Sequence, residues 1–103
     1  MADPKQGGDA QLLEATKTEK PKRYKVLVFN DDYTTMECVV HILTAVFRHS
    51  PASAHRLMIA IHRSGVGVAG VYAREIAEAK LEQATEIARG QGYPLQLDLE
   101  VEA

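Results

Sequence analysis

The sequence predicts a single α+β domain, a two-layer sandwich in the order β-α-α-β-α-β with a three-stranded antiparallel sheet and three helices. Three observations predict it. Apolar residues recur at helical spacing in three stretches, over about 34–47, 51–63 and 73–89. Around them lie three shorter runs, at about 24–29, 66–72 and 94–101, whose length and composition suit strands. At 103 residues the chain is one small domain, so these six elements must share one core.

Residues 1–22 are expected to form a flexible N-terminal tail, leaving 23–103 as the folded domain. Beyond Leu12 and Leu13 the tail offers almost nothing apolar to offset the entropy of ordering. It reads equally well as a plain linker or as an arm that enters a partner. The first strand, Tyr24 to Phe29, carries apolar residues on both faces and is expected at the centre of the sheet. The first helix is expected to begin with Thr34 as N-cap, with Glu37 three residues on completing a capping box. Met36, Val39, Val40, Ile42, Leu43, Val46 and Phe47 form its apolar stripe; β-branching lowers their helix propensity, so packing must hold it.

Ser50 caps the second helix and Pro51 suits its first position, while Ser64-Gly65 ends it. In the strand that follows, Gly67, Ala69 and Gly70 thin the side chains and invite close approach by another element. The third helix sets Ala73, Ile76, Ala77, Leu81, Ala84, Ile87 and Ala88 on one face and charges on the other; Gly90, Gly92 and Pro94 stop it. In the last strand Leu95, Leu97, Leu99 and Val101 face one way and Gln96, Asp98 and Glu100 the other, giving a half-buried strand with a charged outer face.

Composition narrows the function. The hydrophobic fraction is 46% with no Trp, so aliphatic residues and Met fill the interior. A net charge of −2, with both signs interspersed, lacks the basic face that nucleic acid requires. No run approaches the ~18 apolar residues of a membrane span. Cys38 is the sole cysteine, which excludes an internal disulfide and reads as a small buried apolar residue. With no secretion signal at the start of the sequence, a reducing, cytoplasmic setting is expected.

The densest chemistry lies where the first strand meets the first helix. Asn30-Asp31-Asp32 packs an amide and two carboxylates into one corner, more acid than a turn needs, which suggests a cationic partner. Downstream, Leu57, Met58, Ile61 and His62 share helical spacing and pair an apolar lining with a hydrogen-bond acceptor. Together they suggest a site for a positive head with a greasy body. Other readings are weaker. Gly65-Val66-Gly67-Val68-Ala69-Gly70 matches a dinucleotide loop by letters, but a helix precedes it and a strand contains it, the reverse of what that loop needs. A receiver-domain reading of the two aspartates fails because no aspartate occurs between Asp32 and Asp98. No histidine pair has the i,i+4 spacing of a helical metal site, so His41, His49 and His55 take structural or surface roles. Ser50, Ser53 and Ser64 are explained by helix ends, which leaves no hydrolase nucleophile. A small metal-dependent enzyme built on Asp31, Asp32 and His62 remains the alternative from another class.

The run Val28 to Glu37, with Asn30-Asp31-Asp32-Tyr33-Thr34-Thr35-Met36 at its centre, resembles the signature of the ClpS adaptors of the bacterial N-end rule. Leu57 to Gly65 resembles their second block, and Gly70-Val71-Tyr72, Glu75 to Lys80 and Tyr93-Pro94-Leu95 continue the likeness over about residues 22–101. The resemblance implies a ClpS fold and a monomeric adaptor that performs no chemistry and needs no cofactor. It implies binding of proteins that begin with Leu, Phe, Tyr or Trp and their delivery to the ClpA-type AAA+ unfoldase for degradation by ClpP. Position by position, it implies Asn30, Asp31 and His62 for the α-amino group. The pocket for the first side chain is Asp32, Thr34, Met36, Val39, Met58, Ile61 and Leu95. The unfoldase contact is Glu75, Glu78 and Lys80. Three positions depart from the family pattern. Thr35 stands where many members have Pro, which should loosen the corner; Ala73 replaces a frequent capping hydroxyl; and Ile61 replaces the frequent Val, changing the shape of the pocket wall.

Overall fold

The computed structural model describes residues 20–103. The expected tail therefore lies, through residue 19, outside the described residues. The elements are β1 (Arg23–Phe29), α1 (Met36–Ala45), α2 (Pro51–Ser64), β2 (Val66–Ala73), α3 (Arg74–Gly90) and β3 (Gln96–Val101), the predicted order. The sheet is antiparallel throughout in the order β2-β1-β3, so β1 is central as its two apolar faces imply. The helices form the second layer: α3 lies across all three strands, α2 packs on β2, and α1 packs on α2 and α3.

The core sits between these layers. Val26 and Val28 of β1 are buried against Ile42, Leu43, Val46 and Phe47 from α1 and the turn after it. From α3 come Ala77, Ala84 and Ala88, whose small side chains let the helix close on the sheet. Ile76 departs from its expected place on that face and is 51% exposed. It lies about 100° around the helix from Ala77, and the narrow alanine seam leaves it outside. Leu97 and Leu99 are half-buried and Asp98 and Glu100 exposed, as strict alternation requires, although β3 begins at Gln96 and leaves Pro94 and Leu95 as an approach to it.

Pairing between β1 and β2 slips between Val26 and Leu27, which leaves Ala69 without a partner across the ladder. The Ala69 carbonyl instead accepts from His49 Nε2 at 2.7 Å, and His49 Nδ1 lies 3.2 Å from the Ser53 hydroxyl. His49 thus pins the α1–α2 turn to β2, the structural role expected of it. His41 and His55 are exposed. Cys38 is buried among the core residues; burial pushes its thiol pKa up, and the negative charge of Asp31 adds to the shift.

Two of the three helices are capped by a side chain and the third is not. Ser50 caps α2 as predicted, accepting from Ser53 N, with Pro51 at the first position. The N-cap of α1 is Thr35 rather than Thr34: its hydroxyl accepts from Cys38 N at 3.1 Å. Thr34 is taken by a stronger acceptor, the Asp31 carboxylate, which receives both its N–H and its hydroxyl. The Thr34–Glu37 capping box accordingly does not form. The departure from Pro at position 35 does not simply loosen the corner, because Thr35 supplies a cap that Pro lacks. At the start of α3, Ala73 is the N-cap and no side chain caps it. Its φ of −58° and ψ of 155° already suit a capping residue. Ala73→Asp should therefore stabilise the domain by about 1 kcal/mol and raise the melting temperature by roughly 4–8 °C, as thermal unfolding followed by circular dichroism would show.

Candidate functional site: an acidic corner over an apolar hollow

The corner after β1 is held at two points. Asn30 N–H donates to the Gly65 carbonyl at 2.9 Å, which ties the corner to the junction between α2 and β2. Gly65 has the left-handed φ of 92° that ends α2, and its N–H returns to Ile61 O. His62, in the last turn of that helix, is thereby kept beside Asn30. The second point is Asp31. Its Oδ1 accepts from Tyr33 N at 2.8 Å and Thr34 N at 2.7 Å, and its Oδ2 accepts from the Thr34 hydroxyl at 2.8 Å. Three of roughly four acceptor positions on the carboxylate are spent on the turn, so the remaining lone pair lies on Oδ2. Partial burial raises the pKa of Asp31. The hydrogen bonds from Thr34 and Tyr33 and the positive charge of Arg89 outweigh that effect and hold it below the ordinary aspartate value.

Below the corner lies a cavity of about 520 Å³. Every residue expected to bind the amino group, Asn30, Asp31 and His62, lines it. So does every residue expected around the first side chain: Asp32, Thr34, Met36, Val39, Met58, Ile61 and Leu95. The chemistry is segregated. Met58, Ile61 and Leu95 are buried and make an apolar floor with Val39. Asn30, Asp32 and His62 are exposed above it. Among the described residues, no hydrogen bond engages the Asn30 side-chain amide, the Asp32 carboxylate or the His62 ring, while Asp31 is spent locally. Met36 stands at the mouth, 51% exposed, and also borders a second, shallower groove with Glu37, Val40, His41, His55 and Met58.

Four lining residues escaped the sequence reading: Phe29, Tyr33, Thr35 and Glu37. Phe29 ends β1 and the other three lie in the corner or the first turn beyond it, so their position in the motif was the available signal. Glu37 adds a third carboxylate to the rim, in the first turn of α1, where acid also complements the helix dipole. Among the described residues no group of three or more His, Cys, Asp or Glu is placed to hold a metal ion.

Gly67 explains how the floor is seated. A methyl group at this position would come within 2.6 Å of Ile61 Cγ1 and 3.3 Å of Leu57 Cδ1. The missing side chain lets α2 settle on β2 with Ile61 turned to the cavity. Gly67→Ala should force Ile61 forward, cost about 1–3 kcal/mol by overpacking and shrink the hollow. Thermal unfolding and a crystal structure of the variant would check both effects.

The three residues expected at the unfoldase contact lie elsewhere, on α3, and do not line the cavity. Glu75 is exposed beside the exposed Ile76. Glu78 pairs with Arg74 at 3.0 Å. Lys80 is engaged within the fold: its Nζ donates to Val46 O at 2.8 Å, beyond the end of α1, and lies 5.3 Å from the centre of the Tyr72 ring.

A family model described as ATP-dependent Clp protease adaptor protein ClpS matches residues 19–98. The chain belongs to the ClpS family. It is 48% identical over 95 residues to the ATP-dependent Clp protease adapter protein ClpS of Desulfatibacillum aliphaticivorans, covering 92% of this chain and 91% of that one. It is 44% identical to the ClpS of Caulobacter vibrioides strain NA1000, covering 97% and 98% of the two chains. Among solved structures it resembles Agrobacterium tumefaciens ClpS2 bound to L-phenylalaninamide, with a TM-score of 0.78 and 44% identity over 81% of this chain and 100% of that one. Membership makes this ClpS protein an adaptor of the Clp protease system rather than an enzyme. No helix among the described residues is long and apolar enough to cross a membrane.

Proposed function

We propose that the corner and the hollow together recognise the first residue of a protein chain, and that the domain delivers such chains to a ClpA-type unfoldase for degradation by ClpP. The observation that carries this reading is the segregation within one cavity: polar groups without partners among the described residues sit over a buried apolar floor. An N-terminal residue has the same segregation, an ammonium on one side of its Cα and an apolar side chain on the other. L-phenylalaninamide, the ligand of the Agrobacterium relative, is a free amine with a benzyl group and no carboxylate, the minimal form of such a residue.

The chemistry divides accordingly. The ammonium presents three donors. The Asn30 side-chain oxygen, the unprotonated nitrogen of neutral His62 and the remaining lone pair of Asp31, directly or through water, accept them. The α1 dipole opposes a cation here, and the carboxylates of Asp31, Asp32 and Glu37 outweigh it. Charge-assisted hydrogen bonds contribute about 1.5–3 kcal/mol each, and burying one large apolar side chain contributes about 1.5–3 kcal/mol more. After ordering losses, an affinity near −8 kcal/mol, in the micromolar range, is expected. The pliable thioethers of Met36 and Met58 admit Leu, Phe, Tyr and Trp alike.

Delivery falls to α3, with Glu75, Glu78 and Lys80 forming the unfoldase contact. Lys80 would serve it while anchored to Val46, so its ammonium is presented in a fixed position. The test is degradation of a reporter that begins with Leu by purified ClpA and ClpP. Adding this protein should accelerate loss of the Leu reporter and leave a Met-starting one untouched. Equal rates with and without it would refute delivery.

A further inference from the structure

Apart from Phe29 at the end of β1, Leu95 is the one lining residue among the described residues that comes from neither the corner nor the two helices beside it. It lies between the end of α3 and the start of β3, where the chain has few ways to hold itself. Pro94 has no N–H to donate, and pairing of β3 with β1 begins only at Gln96 opposite Phe29. The turn before it is ordered by α3: Gly92, at φ 84°, allows Gly92 N to reach Arg89 O and Tyr93 N to reach Ala88 O, both at 2.9 Å. Beyond Tyr93 the backbone is held by a side chain. Arg89 Nη1 donates to the Tyr93 carbonyl at 3.0 Å and to the Leu95 carbonyl at 2.8 Å, one from each side of Pro94. Nη1 carries two hydrogens, so a single nitrogen satisfies both acceptors.

We infer that Arg89 is a positioning residue for recognition, clamping the Tyr93-Pro94-Leu95 segment so that the Leu95 side chain stays seated as the back wall of the first-side-chain pocket. Arg89 does not line the cavity and is itself exposed at the end of α3. It acts through Leu95, which is 1% exposed. A cation in the last turn of a helix is also favoured by the dipole, which explains how the position is occupied without explaining the two bonds to the segment beyond. The guanidinium charge reaches Asp31 as well, so one side chain supports both the apolar wall and the acidic corner. Lysine at this position keeps the charge but not the planar geometry.

The inference rests on the N-terminal-residue reading, and the experiment separates the two. Wild type, Arg89→Gln, Arg89→Lys, Leu95→Ala and Arg89→Gln/Leu95→Ala are titrated with peptides that begin with Phe or Leu and with the acetylated Phe peptide, alongside thermal unfolding of each protein. Failure of the wild type to prefer the free over the acetylated Phe peptide overturns the reading and the clamp with it. Given that preference, Arg89→Gln should weaken Phe and Leu peptides about tenfold with an altered Phe-to-Leu ratio. Arg89→Lys should recover only part of the loss. In the Leu95→Ala background the same change should cost less than about twofold, because the wall it holds is gone. A lowered melting temperature with unchanged affinities and ratio would overturn the clamp, since it would show a purely structural bond. An equal loss in both backgrounds would also overturn it. Should Arg89→Gln fail to fold, the Phe-to-Leu ratio of Arg89→Lys decides, and an unchanged ratio there counts against the proposal.

Discussion

A peptide that begins with Phe should lose at least about a hundredfold in affinity when its amino group is acetylated, while its side chain is untouched. Acetylation removes the charge and two donors and leaves the Asn30 amide and the His62 ring facing a neutral amide. Each charge-assisted hydrogen bond is worth about 1.5–3 kcal/mol, and two of them exceed a hundredfold in binding. The reciprocal change is Asn30→Ala, expected to cost one such bond, roughly ten- to 150-fold. Because the corner is tied through Asn30 N–H and the Gly65 carbonyl, the alanine keeps the backbone anchor and loses only the side chain. Fluorescence anisotropy with free and acetylated peptides measures both effects. Near-equal affinities for the two peptides would remove the basis for an amine site.

The second large effect concerns Met36. A β-branched first residue carries its bulk at Cβ, next to the gripped ammonium and therefore at the mouth of the hollow, where Met36 stands. Wild type is expected to reject Val and Ile there by a clash of about 1–3 kcal/mol. Met36→Ala should admit them, improving Val and Ile peptides by roughly tenfold or more while Leu and Phe weaken slightly. Since Met36 is half exposed, its truncation should leave the melting temperature almost unchanged, which separates a gate from a general loosening. The check is a titration series differing only at the first residue. Continued rejection of Val by the variant would place the discrimination on another wall, with Ile61 and Val39 next in line.

Much of this molecule is legible in one dimension because two periodicities write it there. Strands alternate and helices repeat at 3.6, so Leu97 and Leu99 against Asp98 and Glu100, or Ala77, Ala84 and Ala88, identify their own faces. Where the pattern misled, a hydrogen bond or a packing contact that carries no periodicity decided the outcome. Thr34 looked like a cap and lost that role to Thr35 once the Asp31 carboxylate claimed its N–H and hydroxyl. Ile76 looked buried until three alanines drew the helix so close to the sheet that the flanking isoleucine stayed outside.

The order of elements, the central strand and the acidic corner were determined by local sequence, since each depends on side chains a few residues apart. Tertiary structure alone decided that Gly67 yields its space to Ile61 and that Arg89 holds the chain on either side of Pro94. Those facts arise where separate segments meet. Close packing leaves no spare room at such meetings, so each residue's role there is set by neighbours that no periodicity announces.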